Sequence, residues 1–368
     1  MDGRRIAVVL PPGEAFSPLA SGAIGLLAHR MARHPGRFES VVVGVTVAAP
    51  FADVAFRAVR PRWGLGRTAS RYAEAVAQVL GEMRPALVEV HNRPDVALTI
   101  ARRLAPMPVM LMLHNDPQGM RGARTPAQRT LLLRGLARVL TVSQYLHGKL
   151  LEGVVGGSAI VAPNCIDLAE MPARPAAREK VILFAGRVVA DKGADAFVAA
   201  CALALPRLPG WRAEMIGADR FGPDSPDTPF LRALRPRAEA AGVALRGYQP
   251  HAEVLAAMAA ASIVVVPSRW AEPFGLTALE AMASGAALLC SGRGGLAEVM
   301  GDAAMRIDPD DVAGMADCLA RLALDPARLA ALGQAGLARA RGYDVKLAVE
   351  AMDGVRAAIL HSAAASPI

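Results

Sequence analysis

The feature that most constrains this 368-residue chain is a rhythm. Short apolar runs alternate with longer amphipathic, Ala- and Leu-rich stretches from end to end. Strand-length runs separated by helix-length segments predict parallel strands whose crossover helices cover both faces of a sheet. A first series of expected strands comprises Ile6–Leu10, Val41–Val45, Leu87–His91, Val109–His114, Val139–Val142 and Ala159–Ala162. After the Pro- and Ala-rich stretch Met171–Ala177 comes a second series: Val181–Ala185, Arg212–Ile216, Ala244–Arg246, Ile263–Pro267, Ala287–Cys290 and Met305–Ile307. Each series is the size of one doubly wound domain, and a chain of this length exceeds a typical single domain. The expected fold class is therefore α/β, with two Rossmann-like domains and a cleft between them. Ligands in such sheets bind beyond the carboxyl ends of the strands, which directs the search for functional residues to the segments just after them.

Composition narrows the setting. Hydrophobic residues make up 53% of the chain and charged residues 20%, which suits large buried parallel sheets. No apolar run reaches the roughly 18 residues of a membrane span. Met1–Arg5 runs directly into a strand-like stretch, so a secretory signal is not expected. Cys165, Cys201, Cys290 and Cys318 are scattered, fitting neither a zinc site nor a disulfide framework; a cytoplasmic location is expected. Residues 1–170 hold 20 Arg and Lys against 12 Asp and Glu, and the rest hold 21 of each. The net charge of +8 thus lies wholly in the first half, in stretches such as Arg57, Arg60, Arg62, Arg67 and Arg71, then Arg121, Arg124, Arg129, Arg134 and Arg138. Without aromatic interleaving or a known motif, nucleic acid is not the expected partner. Peripheral contact with an anionic membrane surface, or an acidic acceptor, fits the charge better; an ordinary solvated surface in an Arg-rich chain with four lysines fits it equally well.

Two segments carry the chemistry. In Phe184-Ala-Gly-Arg-Val-Val-Ala-Asp-Lys-Gly193 a strand delivers Gly186 and Arg187, then a turn carries Asp191, Lys192 and Gly193 into a helix. Two fixed cations so placed can neutralise a diphosphate without a metal. In Pro267-Ser-Arg-Trp-Ala-Glu-Pro-Phe-Gly-Leu-Thr-Ala-Leu-Glu-Ala-Met-Ala-Ser-Gly285, Glu272 lies in a loop and Glu280 about one turn into a helix that starts near Leu276. The amides of Phe274, Gly275 and Leu276 face forward from that helix start, a favourable place for phosphate or sugar oxygens. Gly285 stops the helix.

Together these segments resemble the C-terminal half of family 4 glycosyltransferases, which have the GT-B architecture and retain anomeric configuration. The specific motifs occupy roughly residues 184–193 and 267–298, and the organisation extends over most of the chain. The resemblance implies that Arg187 and Lys192 bind the diphosphate of a nucleotide-sugar donor. Glu280 would hold the ribose hydroxyls, Glu272 and the Phe274–Leu276 amides the sugar, and Tyr248, in Gly247-Tyr-Gln249, the base. In the first half, Gly13 and Ser21-Gly22-Ala23 stand where the family has a glycine-rich loop, and Gly22 is a donor contact by this reading. His114, in Leu113-His-Asn-Asp-Pro117, matches a strand-end histidine beside the transferred sugar. His91 and Asn92 end another strand, and an acceptor contact is expected of them; Ser143 and Asn164 are expected to be structural.

By the same resemblance, residues 1–168 form the acceptor domain, joined by a returning helix at about 345–368, and residues 169–344 form the donor domain. Closure would bring His114 and residues 13–22 onto the donor. The implied reaction moves a hexose from a nucleoside diphosphate sugar, with UDP slightly favoured over GDP, to an acceptor hydroxyl of a carbohydrate, glycolipid or small molecule. Catalytic roles fall to His114, Glu272, Arg187 and Lys192. No essential metal is expected, because Asp308-Pro-Asp310 precedes a helix and Asp310 or Asp311 reads better as its cap. A sugar-nucleotide epimerase and a non-catalytic envelope or coat protein share the architecture and stand as alternatives. A nicotinamide-dependent oxidoreductase is disfavoured, as no Gly-x-Gly-x-x-Gly follows the first strand.

Overall fold

The computed structural model describes residues 4–61, 68–220 and 224–365. Arg62 and Arg67 of the first Arg-rich stretch, and Met1–Gly3, lie outside the described residues. The chain divides into two compact units, one of residues 1–165 with 345–368 and the other of residues 166–344.

The first unit is built on a parallel sheet of seven strands: β1 Arg5–Val9, β2 Glu39–Val45, β3 Phe56–Val59, β4 Leu87–His91, β5 Val109–Leu113, β6 Arg138–Thr141 and β7 Ile160–Val161. Their spatial order is β3-β2-β1-β4-β5-β6-β7. The second unit has six: β8 Glu179–Ala185, β9 Arg212–Ile216, β10 Val243–Gly247, β11 Ala261–Val266, β12 Ala287–Cys290 and β13 Met305–Arg306. They are ordered β10-β9-β8-β11-β12-β13. Both are doubly wound Rossmann-like sheets, and the strand order reverses between β1 and β4 in one and between β8 and β11 in the other.

The sequence pattern yields twelve of these strands and misses β3. Among the described residues that strand pairs only with β2, at the sheet's edge. Val59 is its sole buried residue, and Arg57 is exposed on it. A strand that buries one side chain leaves no periodicity to read. By contrast β4 and β5 are buried at every position, as central parallel strands should be.

The helix Val345–Ala365 belongs to the first unit. Its buried residues Val345, Val349, Met352, Asp353, Arg356, Ile359 and Leu360 recur at helical spacing and form one stripe. Val345 and Val349 pack with Leu27 and Cys165, which puts this helix against the first helix, Ala23–Arg33. Two members of the stripe, Asp353 and Arg356, are charged and pair with each other at 3.2 Å.

The Arg-rich stretch at 121–138 is not a uniform surface. Arg129 is 2% exposed, and its guanidinium donates to the carbonyls of Leu150, Ala123, Arg124 and Glu152. It therefore ties loops together and is unavailable to a membrane or an acidic acceptor. Among the described residues, no helix is long and apolar enough to cross a membrane. All four cysteines are free thiols, three of them buried.

Candidate functional site

At the switch point of the second sheet, β8 leads into Gly186 and Arg187, and β11 leads into Pro267 and Ser268. A single 3-10 turn, Ala190–Lys192, connects β8 to the helix Ala194–Ala204. Gly193 joins turn to helix with φ 71°, where a Cβ would come within 1.9 Å of the Pro267 carbonyl oxygen. Only glycine lets the turn pack this closely on the end of β11. The packing is cemented by the Asp191 carbonyl, which accepts from the amides of Arg269 and Trp270, each at 2.9 Å.

This docking sets Lys192 beside Glu272. The Lys192 ammonium donates to Glu272 Oε1, and the buried Ser268 hydroxyl donates to the same oxygen at 2.8 Å. Glu272 is itself locked by its backbone, which accepts from Gly295 N at 2.6 Å and donates to Arg293 O at 3.2 Å. Arg187 is exposed, and its side chain has no hydrogen bond or ion pair among the described residues. The helix Leu276–Ser284 starts at Gly275, φ 111°, and ends at Gly285, φ 76°. A Cβ on Gly275 would strike Leu296 at 2.3 Å. The amides of Phe274, Gly275 and Leu276 serve no backbone hydrogen bond among the described residues, which leaves donors at the positive end of the helix. The Phe274 ring is buried edge-on against Tyr343.

Glu280 lies in the second turn of that helix with its side chain nearly buried. Its Oε1 meets His251 Nε2 at 2.8 Å. Sequence reasoning passes over His251; it heads the helix His251–Ala260, and no local pattern connects it to Glu280. Tyr248 lines a cavity of about 400 Å³ with Val188, Gly217 and Leu245, and the Asp227–Arg235 ion pair sits on its wall. The Asp-x-Asp carboxylates are already engaged. Asp308 and Asp310 pair with Arg293, Asp310 also pairs with Arg269, and Asp311 caps the helix Val312–Ala323 through Gly314 N. Arg293 and Arg269 hold the Asp310 carboxyl below its ordinary range.

At the switch point of the first sheet, β1 leads into residues 10–22. Ser17 and Ser21 brace this loop through Ser17 N to Ser21 Oγ at 3.0 Å and Ser21 Oγ to Ala15 O at 2.8 Å. Gly22 caps the first helix. Glu14, not singled out by sequence, places its carboxylate on that helix start, accepting from Gly25 N at 2.9 Å. Burial pushes the Glu14 carboxyl up, against the pull of the Gly25 and Gly22 amides.

His114 sits just beyond β5, 7% exposed, and His91 ends β4 at 2%. Their rings lie nearly parallel, with His91 Nδ1 2.9 Å from His114 Nε2. His91 Nε2 is 3.0 Å from Glu89 Oε1, and Glu89 Oε2 accepts from Arg356 at 2.8 Å. Burial favours the neutral acid at Glu89, but Arg356 and His91 outweigh it and hold its carboxyl at about 2. Asn92, φ 56°, turns its Oδ1 to accept from His114 N at 3.1 Å and Asn115 N at 3.2 Å. The acceptor contact expected of His91 and Asn92 thus meets two buried side chains whose hydrogen bonds run inward and secure His114 from behind. Ser143 caps the helix Gln144–Leu151 through Leu146 N.

Part of the chain matches a family model, and the whole fold has solved counterparts. Residues 170–339, which contain every second-unit residue of the site except Tyr343, match the family model described as Glycosyl transferases group 1. The glycogen synthase of Mycobacterium tuberculosis is 31% identical over 285 residues, which span 70% of this chain and 64% of the relative. The chain therefore covers less than two thirds of that relative's length. The sucrose-phosphate synthase structure from Thermosynechococcus elongatus has a TM-score of 0.78 at 18% identity, covering 98% of this chain and 100% of that one. Anabaena Alr3699/HepE, solved in complex with UDP-glucose, has a TM-score of 0.75 at 18% identity, covering 96% of this chain and 100% of its own. Residues 170–339 carry the signature of the glycosyl transferases group 1 family, in a chain whose two parallel-sheet units have the GT-B fold.

Proposed function

We propose that the protein is a retaining glycosyltransferase that moves a hexose from a nucleoside diphosphate sugar to an acceptor hydroxyl. The observation that carries this reading is the convergence at one switch point of an exposed Arg187, without an ion pair among the described residues, the Lys192–Glu272–Ser268 cluster and the open amides of Phe274, Gly275 and Leu276. Negative charge builds on the leaving diphosphate as the glycosidic bond breaks, and fixed cations and amides stabilise it without reorganisation. Lys192 exchanges the Glu272 carboxylate for phosphate oxygens, which frees Glu272 to accept from sugar hydroxyls. Glu280, oriented by His251 through one oxygen, offers the other to the ribose, and the cavity at Tyr248 takes the base. His114 positions the sugar from the first unit. The leaving phosphate assists deprotonation of the acceptor on the same face.

UDP is the favoured leaving group over GDP, in keeping with the UDP-glucose complex of the Anabaena relative in fold. This reading uses no essential metal, and the pairing of Asp308 and Asp310 with arginines supports it. The acceptor belongs to an envelope polysaccharide or glycolipid, reached from a cytoplasmic protein with peripheral contact at the membrane's inner face.

Thermal melting with uridine, guanosine, adenosine and thymidine diphosphates in EDTA tests the donor site. A nucleotide at a hundred times its dissociation constant adds about 2.7 kcal/mol of stability. One nucleotide should raise the midpoint of the wild type and leave Glu280→Ala unmoved. No shift with any of the four, or equal shifts in both proteins, refutes the assignment. Product coupling constants then report the anomer, and an inverted centre overturns retention.

A further inference from the structure

Asp308-Pro-Asp310 takes no part in holding the donor, yet its carboxylates are engaged by arginines that lead back to Lys192 and Glu272. Asp310 divides its oxygens between two guanidinium groups. Its Oδ1 accepts from Arg269 Nε at 2.9 Å, and its Oδ2 accepts from Arg293 Nη2 at 2.7 Å. The same Arg293 nitrogen donates to Asp308 Oδ1 at 2.9 Å. That oxygen also accepts from the Asp310 amide at 3.1 Å, which fixes the turn from which Asp310 projects.

Each arginine is tied in turn to one of the two segments that carry the cluster. Arg269 grips the turn of Lys192. Its Nη1 donates to the Ala190 carbonyl at 3.0 Å, and its two terminal nitrogens fork onto Asp195 at 2.7 and 3.2 Å. Arg293 grips the segment of Glu272, through its carbonyl on the Glu272 amide at 3.2 Å. Its Nη1 also donates to the Arg269 carbonyl at 3.4 Å. Among the described residues, Asp310 is the one carboxylate that pairs with both arginines. Isolated exposed ion pairs hold little, but forked contacts and shared carboxylates do fix geometry, and this network has both.

We propose that Asp310 is a positioning residue: by holding Arg269 and Arg293 together it keeps Lys192 and Glu272 aligned for the donor. The functional part rests on the reading that Lys192 and Glu272 contact the donor; the mechanical part, that Asp310 fastens the two segments, does not. The sign of the effect separates positioning from charge alone. Removing a carboxylate close to a diphosphate site strengthens binding by electrostatics. Loosening the segments that carry Lys192 and Glu272 weakens it.

Amide hydrogen exchange without ligand, followed by mass spectrometry, tests the mechanical part. Asp310→Asn should speed exchange in peptides covering residues 188–195 and 267–275 by about five- to tenfold, the worth of one or two such pairs, and leave β8 and β11 unchanged. Unchanged exchange in those peptides overturns the proposal. Calorimetric titration with UDP and with GDP tests the functional part. Asp310→Asn should bind the preferred nucleotide about five- to tenfold more weakly than the wild type, and Asp310→Glu should recover most of the loss. Affinity at or above the wild-type value in Asp310→Asn overturns the proposal. Asp308→Asn removes the same charge but keeps the Arg269–Asp310–Arg293 link, so it should bind at least as well as the wild type; an equal loss there also overturns the role given to Asp310. Lys192→Ala reports on the donor site by itself. If it binds like the wild type, or if the wild type binds neither nucleotide, the donor reading falls while the exchange data still decide the clamp.

Discussion

Arg356→Met leaves Glu89 buried without its cation, and the structure sets the size of the loss. Both side chains are 5% exposed or less, and the contact is 2.8 Å. Opposite charges about 4 Å apart attract by roughly 4 kcal/mol at the effective dielectric of a protein site. Breaking a buried pair from one side costs a similar amount, about 3–5 kcal/mol, because the remaining charge cannot reach water. For a unit of this size each kcal/mol moves the midpoint by about 2–4 °C, so the first unit should melt about 8–16 °C lower. Urea or thermal unfolding, followed by a probe in each unit, should assign the loss to the first unit alone. On a Glu89→Leu background, Arg356→Met should cost less, since the carboxylate that then loses this cation is Asp353 alone, which still accepts from the Arg37 amide.

Acid adds a second signature. The Glu89 carboxyl is held at about 2 against an ordinary 4.5. The stability it contributes is fully present above 4.5 and is lost as the pH falls towards 2, a loss of roughly 3 kcal/mol. Arg356→Met should lose much of that slope. A variant that melts within about 2 °C of the wild type, or that keeps the full acid slope, refutes the idea that this pair anchors the sheet.

Gly193→Ala should destabilise the second unit by roughly 1–3 kcal/mol from its backbone conformation alone. It should also weaken nucleotide binding, because the turn bearing Lys192 must lift from Pro267; an unchanged midpoint in differential scanning calorimetry contradicts this. His251→Ala should weaken nucleoside diphosphate binding by roughly five- to tenfold while leaving the fold intact, the value of one orienting hydrogen bond. Calorimetric titration measures this, and wild-type affinity would remove His251 from the site.

How much of this is legible in the sequence depends on whether the signal is local. The strands at both switch points are continuous apolar runs, and the Gly186–Gly193 and Ser268–Gly285 blocks keep their parts close in sequence, so the fold and the residues gathered around Lys192 and Glu272 can be read directly. Contacts across long separations cannot. Glu89 and Arg356 are 267 residues apart, and His251 and Glu280 lie on different helices. A trace is present: a carboxylate inside Leu-Val-Glu-Val-His, a strand buried at all five positions, demands a cation from elsewhere. Arg129 misleads for the opposite reason, since composition registers a charge without registering the four carbonyls that surround it.

The noncontiguous first unit has a bearing on how the protein is made. A ribosome adding about 5–20 residues per second needs roughly 13–50 s to travel from Glu89 to Arg356. During that interval the first sheet lacks both its closing helix and the counter-charge for its central strand. Residues 166–344 are an uninterrupted stretch and meet all their partners earlier. The half of the chain synthesised second is therefore the half equipped to finish folding first, and the half synthesised first waits longest for its last element.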